Sequence, residues 1–86
     1  MATDEAQNSV IDALLDERDY QDKKFPQHSH TLGEWILIAR KCLSDAEAKW
    51  YAGHGNMEAV KSELCQVGAV CMAALEEHGA PQPRIK

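Results

Sequence analysis

The chain has little positive charge for its size. Nine Lys and Arg residues stand against fourteen Asp and Glu residues, so the formal net charge is −5. Seven of the acids lie within the first 22 positions. Proteins that bind a phosphate backbone need a basic stripe, and this sequence has none. Nucleic acid is therefore not expected as its main partner.

The sequence also lacks paired cysteines and any long apolar run. Its three cysteines, Cys42, Cys65 and Cys71, form no CxxC pair, and all fall in apolar helical registers. This usage fits a reducing compartment and predicts a cytoplasmic location. The longest stretch without a polar residue, 67–75, is too short to cross a bilayer, so no membrane partner is expected.

Sequence motifs for several enzyme classes are missing as well. No GxSxG, P-loop, GxGxxG or HExxH pattern occurs, which argues against serine hydrolases, P-loop kinases and dinucleotide enzymes. His28 and His30 form an HxH pair with the spacing of metal ligands. Histidines just before a helix are more often packing or capping groups, and both interpretations stay open.

What the sequence does contain is helical periodicity with clear start and stop residues. Ser9 is a candidate N-cap, Thr31 and Glu34 form a capping box, and Asn56 is a second candidate cap. Gly79 is expected to end the last helix. The prediction is an all-α, antiparallel three-helix protomer with helices at about 9–23, 31–52 and 56–78. A flexible arm at 1–8 and a tail at 80–86 would flank a single domain at 9–79.

Apolar residues recur at heptad spacing along the predicted third helix. The seam of this helix consists of Met57, Val60, Leu64, Val67, Cys71 and Ala74. Since 67–75 is apolar on every side, this helix must be surrounded by other helices. The second helix has a seam at Ile36, Ala39, Leu43, Ala46 and Trp50, flanked by Trp35, and the first an apolar face at Val10, Ile11, Leu14 and Leu15.

The short chain also favours association with a second copy. A protein of 86 residues buries on the order of 60–65% of its surface and is marginal alone. Dimerisation is a common remedy. We therefore predict a homodimer with a four-helix core, made by pairing either the small-residue stretch of helix three or helices two and three together. Helices two and three would lie at the centre of the protomer.

Carboxylates on different helices are the candidate chemistry. Hard cations such as Mg²⁺ take oxygen ligands, which helix bundles gather from several helices. Asp45 and Glu63 stand out because each neighbours a seam residue. Glu17 and Glu34 are further candidates. On composition alone, solvated charges beside a packed seam are the favoured interpretation.

The order of the segments ERDYQDKKF, HTLGEW and SELCQVGAVCMAALEEHG resembles small MazG-like proteins. These are all-α relatives of nucleoside triphosphate pyrophosphohydrolases, often found on phage and other mobile elements. The resemblance covers roughly residues 14–79. It is carried by Glu17, Arg18, Gln21, Lys24, Phe25, His30, Trp35, Glu63, Leu64, Gln66 and Val67.

The resemblance implies Mg²⁺-dependent cleavage of nucleoside triphosphates to the monophosphate and pyrophosphate, with the metal held by E-E-x-x-E and E-x-x-D motifs. In this chain the motifs fall on 41–45 and 63–66, where only Asp45 and Glu63 are acidic. Lys41 would repel the ion, and Cys42 is a soft ligand poorly matched to Mg²⁺. The usual activity is therefore expected to be absent or very weak.

Three functions remain open at this point. In the first, the chain is a MazG-like protein that binds a nucleotide or another protein without the standard activity. Alternatively, it is an active pyrophosphohydrolase with a rearranged carboxylate site, in which Lys41 contacts phosphate and Glu17, Glu34, Asp45 and Glu63 hold Mg²⁺. A third possibility is a purely structural oligomerisation module.

Overall fold

The structure is a computed structural model that describes residues 3–25, 29–52 and 56–84. Within these ranges the chain forms three helices and no strand: α1 (Asp4–Lys24), α2 (Leu32–Ala52) and α3 (Met57–His78). The all-α prediction is confirmed. Pro26, His28 and the GHG sequence at 53–55, which were expected to form the two connections, lie outside the described residues.

The helix ends at α2 and α3 are capped as the sequence predicts. The amide of Glu34 donates to Thr31 Oγ1 at 3.1 Å, while the amide of Thr31 donates to Glu34 Oε1 at 2.8 Å. Asn56 Oδ1 accepts from the amide of Ala59 at 3.3 Å. Gly79 takes φ 96°, a backbone conformation that other residues rarely adopt, and its amide bonds to the Leu75 carbonyl.

The start of α1 is a correction to the sequence analysis. The helix begins at Asp4, not at Ser9, so most of the expected flexible arm at 1–8 is helical. Thr3 is the N-cap because its hydroxyl accepts from the amide of Ala6 at 3.0 Å. Asp4 and Glu5 in the first turn add favourable charge at the positive end of the helix dipole.

The arrangement of the helices is a second correction. Only α3 is central: it packs against both α1 and α2, whereas no Cα pair between the described parts of α1 and α2 comes within 8 Å. Helices α2 and α3 are antiparallel, since Trp35 near the start of α2 contacts Glu77 near the end of α3. Helix α1 crosses α3 where Leu14 lies against Gly68.

The buried core is small. It consists of Trp35 and Ala46 on α2 with Ala69, Val70 and Ala73 on α3. Ile38, Ala39, Cys42 and Ala74 pack against it and are partly buried. Small side chains at 69 and 73 let the backbones approach, as the run 67–75 indicated.

The predicted seam of α2 is correct only in part: Ala46 is buried and Ala39 partly buried, as expected, but the other three seam residues are exposed. Trp35, expected only to flank it, is 4% exposed, whereas Ile36, Leu43 and Trp50 are 65%, 52% and 58% exposed. Helix α2 carries two apolar stripes, and the stripe through Trp35 and Ala46 is the one packed on α3. On α1, Leu14 is half-buried, while Val10, Ile11 and Leu15 are exposed.

No helix in the described ranges has the length and hydrophobicity needed to span a membrane.

Candidate functional site

A cleft of about 610 Å³ lies between α1 and α2, with α3 as its floor. The cleft exists because α1 and α2 each pack on α3 without meeting one another. Most of its walls come from the last two turns of α1 and the first three turns of α2. It is lined by Glu17, Tyr20, Gln21, Lys24, Phe25, His30, Trp35, Ile38, Cys42, Gln66 and Val70.

One wall of the cleft combines aromatic rings with a cation. Tyr20 and Phe25 are 55% and 54% exposed. Lys24 Nζ lies 5.7 Å from the centroid of the Tyr20 ring and 5.3 Å from that of Phe25. These distances allow cation–π attraction, which holds the ammonium group over the rings.

The opposite wall is formed by Trp35 and His30. The two rings meet edge to face, with centroids 4.8 Å apart and planes at 84°. The indole Nε1 of Trp35 donates to Glu77 Oε1 at 2.7 Å, which fixes the ring orientation. This wall is therefore rigid, in contrast to the exposed rings of α1.

Glu77 fastens the segment before α2 to the end of α3. Its carboxylate accepts hydrogen bonds from the Ser29 hydroxyl, from the Trp35 indole and, at 3.2 Å, from the amide of His30. These bonds lower the pKa of Glu77 to about 2, with the Ser29 bond contributing most. His78 Nε2 adds a 2.7 Å hydrogen bond with the carbonyl of His30.

Amide and carboxylate groups provide polar contacts inside the cleft. Gln21 Nε2 donates to Glu17 Oε2 at 3.3 Å and to the backbone carbonyl of Gln66 at 3.4 Å. The second bond ties α1 to α3 across the cleft floor. Glu17 thus lies in the cleft and is held by an amide from its own helix.

The two acids singled out from the sequence, Asp45 and Glu63, lie near enough to Lys41 and Cys42 for their charges to affect the pKa of both groups. Lys41 Nζ contacts Asp45 Oδ1 at 2.6 Å, and this bond raises the pKa of Lys41, with a smaller electrostatic effect from Glu63. Burial raises the pKa of the neighbouring Cys42 thiol, and the charges of Asp45 and Glu63 raise it further. Lys41, Asp45 and Glu63 are therefore within electrostatic range of Cys42, which lines the cleft.

The remaining candidate ligands have other partners. Glu34 takes part in the capping box, and hydrogen bonds from Thr31 lower its pKa. Glu17 belongs to the cleft wall. Among the described residues, no three His, Cys, Asp or Glu side chains converge on a position for a metal ion. His28 lies outside the described residues, so the HxH pair is not assessed.

Sequence reasoning missed two contributors to this region, Tyr20 and Glu77. Tyr20 lies three residues after Glu17 and four before Lys24, which places all three on one helix face, so the spacing was a usable indication. Glu77 gave no such indication, because its partners Ser29, His30 and Trp35 are more than 40 residues away.

Comparison of the chain with protein-family models, curated proteins and solved structures finds no match.

Proposed function

We propose that this chain is a homodimeric, MazG-like helical protein that binds a nucleotide in the α1/α2 cleft without cleaving it by the usual Mg²⁺-dependent reaction. The observation that carries the proposal is the cleft itself, with aromatic rings on both walls and Lys24 above one of them. Its volume of about 610 Å³ falls within the roughly 300–1,000 Å³ common for small-molecule sites.

The chemistry of the walls suits a planar base attached to an anionic group. A base stacked on an exposed aromatic ring is stabilised by about 1–3 kcal/mol, whichever base it is. Tyr20, which is 55% exposed, offers such a ring, and Gln21 and Gln66 provide amide groups for hydrogen bonds to base edges. Lys24 supplies a point charge for a phosphate.

The MazG-like assignment gains support from where its residues lie. Seven of the positions that carry the resemblance line this single cleft, although they come from all three helices and the segment before α2. They are Glu17, Gln21, Lys24, Phe25, His30, Trp35 and Gln66.

The three free thiols suit a reducing compartment such as the cytoplasm.

The proposed loss of hydrolysis follows from the residues around Cys42, which offer too few free carboxylates to bind Mg²⁺. A Mg²⁺ ion that bridges triphosphate oxygens needs several anionic ligands to hold it. Asp45 is already paired with the Lys41 ammonium, and the thiol of Cys42 is disfavoured as a thiolate by burial. Glu63 remains as a lone carboxylate, which makes a weak site.

The direct test is calorimetric titration with ribo- and deoxyribonucleoside triphosphates, with and without Mg²⁺, together with an assay for released pyrophosphate. Tyr20→Ala should raise the Kd about 5- to 150-fold, the equivalent of the 1–3 kcal/mol stacking contribution. Tyr51→Ala is the matched control, because Tyr51 is 75% exposed and does not line the cleft. It should leave the Kd unchanged.

The outcomes separate the three functions. Binding without pyrophosphate release supports the proposal. Release at ordinary enzymatic rates that is lost in Glu63→Gln would instead establish an active hydrolase with a rearranged site. If no nucleotide binds or raises the melting temperature, a purely structural module is the better description, because a ligand that prefers the native state must stabilise it.

A further inference from the structure

Among the described residues, Glu17 is the only one that brings a carboxylate into the lining of the cleft. Gln21 Nε2 donates to its Oε2 at 3.3 Å, and no hydrogen bond between described residues engages its Oε1. A carboxylate only accepts hydrogen bonds, and its two oxygens together offer about four lone-pair sites. Glu17 can therefore accept two further hydrogen bonds from a bound molecule.

Glu17, Tyr20 and Lys24 form a row along α1. Their spacings of three and four residues place all three on one helix face, and all three line the cleft. Glu17 and Lys24 are seven residues apart, which is about 10.5 Å along the helix axis, and Tyr20 lies between them. A flat ligand stacked on Tyr20 would thus have a carboxylate at one end and an ammonium group at the other.

The charges at the two ends of this row fix how a nucleotide can lie on it. Lys24 is the only Lys or Arg among the described residues that line the cleft. The neighbouring cations of α1, Arg18 and Lys23, are already paired with acids outside the cleft. A phosphate is therefore attracted to the Lys24 end and repelled from Glu17, so the base must face Glu17.

The common bases differ in what they present to a carboxylate. In guanine the ring N–H and the exocyclic amino group lie side by side on one edge, so both can donate to the two oxygens of one carboxylate. Adenine and cytosine place an acceptor nitrogen beside their amino group. Uracil and thymine have a single ring N–H between two carbonyl oxygens. An acceptor set against a carboxylate loses a hydrogen bond and is repelled.

We propose that the cleft selects guanine nucleotides, with Glu17 accepting hydrogen bonds from the ring N–H and the amino group of the base. Tyr20 stacks on the guanine ring, and Lys24 pairs with the phosphate. Stacking is similar for every base, so the selection comes from the carboxylate, whose hydrogen bonds are stronger than those of a neutral acceptor. The inference rests on the nucleotide-binding cleft of the proposed function and names the base.

The first test compares three monophosphates on the wild-type chain by calorimetric titration without Mg²⁺. Monophosphates contain no bond that a pyrophosphohydrolase cleaves, so binding is measured apart from hydrolysis. Adenosine monophosphate should have a Kd about 10- to 100-fold higher than guanosine monophosphate, the equivalent of one lost hydrogen bond to a charged acceptor. Inosine monophosphate keeps the ring N–H but lacks the amino group, and its Kd should lie between the other two.

The second test exchanges the carboxylate for an amide. Glu17→Gln keeps the size of the side chain but replaces one acceptor oxygen with a donor. The variant should lose the preference for guanosine over adenosine monophosphate. It should also bind xanthosine monophosphate more tightly than the wild type does, because xanthine has a carbonyl oxygen where guanine has its amino group. Asp16→Asn is the matched control, since it removes the same charge from an exposed neighbouring position outside the cleft. It should leave the order of the Kd values unchanged.

The outcomes distinguish this inference from the proposed function. If adenosine monophosphate binds the wild type as tightly as guanosine monophosphate, or if Glu17→Gln keeps the guanine preference, Glu17 does not read the base, although the cleft still binds nucleotides. If no nucleotide binds at all, the proposed function fails and the guanine inference fails with it. Circular dichroism checks that the variants are folded, and the wild-type series decides the matter if Glu17→Gln is not.

Discussion

The contact between Gly68 and Leu14 allows the α1–α3 packing to be tested by a single methyl group. A Cβ added at Gly68 would lie 2.5 Å from Leu14 Cδ2, closer than carbon atoms in proteins approach, and 3.8 Å from Leu14 Cγ. Because Cδ2 is the end of a flexible side chain, Leu14 would have to change rotamer or α1 would have to shift.

The expected size of the effect follows from two opposing contributions. Alanine in place of glycine inside a helix stabilises by about 0.5–1 kcal/mol. Overpacking or a displaced side chain costs roughly 1–3 kcal/mol. Gly68→Ala should therefore lower the free energy of unfolding by up to about 2.5 kcal/mol, with an unchanged value as the mildest outcome.

A double-mutant cycle isolates the contact. In a Leu14→Ala background the clash is gone, so Gly68→Ala should there stabilise the protein by up to about 1 kcal/mol. The coupling between the two positions should be about 1–3 kcal/mol. Urea unfolding followed by far-ultraviolet circular dichroism, at one fixed protein concentration, gives all four values.

Gly33 is the matched control for this cycle. A Cβ there would lie 3.9 Å from Thr31 Oγ1, which is ordinary van der Waals contact. Gly33→Ala should stabilise to the same extent with or without Leu14. The reasoning would be refuted if Gly68→Ala stabilised the wild-type chain as much as the Leu14→Ala variant, since α1 would then not lie against α3 at this point.

Three further predictions concern the hydrogen bonds around the cleft. Glu77→Gln should destabilise the protein at neutral pH. The difference in stability from wild type should shrink as the pH falls from about 4.5 towards 2, because a carboxylate with a lowered native pKa stabilises the fold fully only above its unfolded-state pKa. A pH-independent difference in urea unfolding would show that the hydrogen bonds to Glu77 do not stabilise the fold. Thr31→Ala should cost about 1 kcal/mol by removing the acceptor for the α2 amide, and Thr31→Ser, which keeps the hydroxyl, should restore most of it in the same assay. Lys41→Glu should give measurable Mg²⁺ binding by calorimetry if Asp45 and Glu63 are close enough to share an ion. Lys41→Gln frees Asp45 without adding a carboxylate, so its heat of Mg²⁺ binding should be smaller.

The fold could be predicted largely from local features of the sequence. Helix type and most boundaries depend on caps and on apolar periodicity within one segment, as Thr31 with Glu34, Asn56 and Gly79 illustrate. The exception is α1, where Thr3 and Ser9 are both acceptable caps and local chemistry does not choose between them. Residues 4–8 are polar except for Ala6 and form a helix without a packed face, so periodicity gave no indication of them.

The site was predictable only in part. Asp45, Glu63 and Lys41 were singled out from the sequence; in the structure Asp45 pairs with Lys41, and no group of three possible metal ligands converges among the described residues. The sequence did not predict that the residues of the MazG-like resemblance would line one cleft, because that depends on α1 and α2 packing on different sides of α3. The hydrogen bond between Ser29 and Glu77 joins residues 48 positions apart, so no local sequence pattern predicts it.

The sequence by itself determined that the chain is helical and where α2 and α3 begin and end. Tertiary structure alone decided which of the two apolar stripes on α2 is packed inside the protomer. Both stripes have helical period and similar hydrophobicity, so either could have faced α3. The large Trp35 ring fits against Val70 and Ala73, where small neighbours leave room for it, and this packing leaves Ile36, Leu43 and Trp50 exposed.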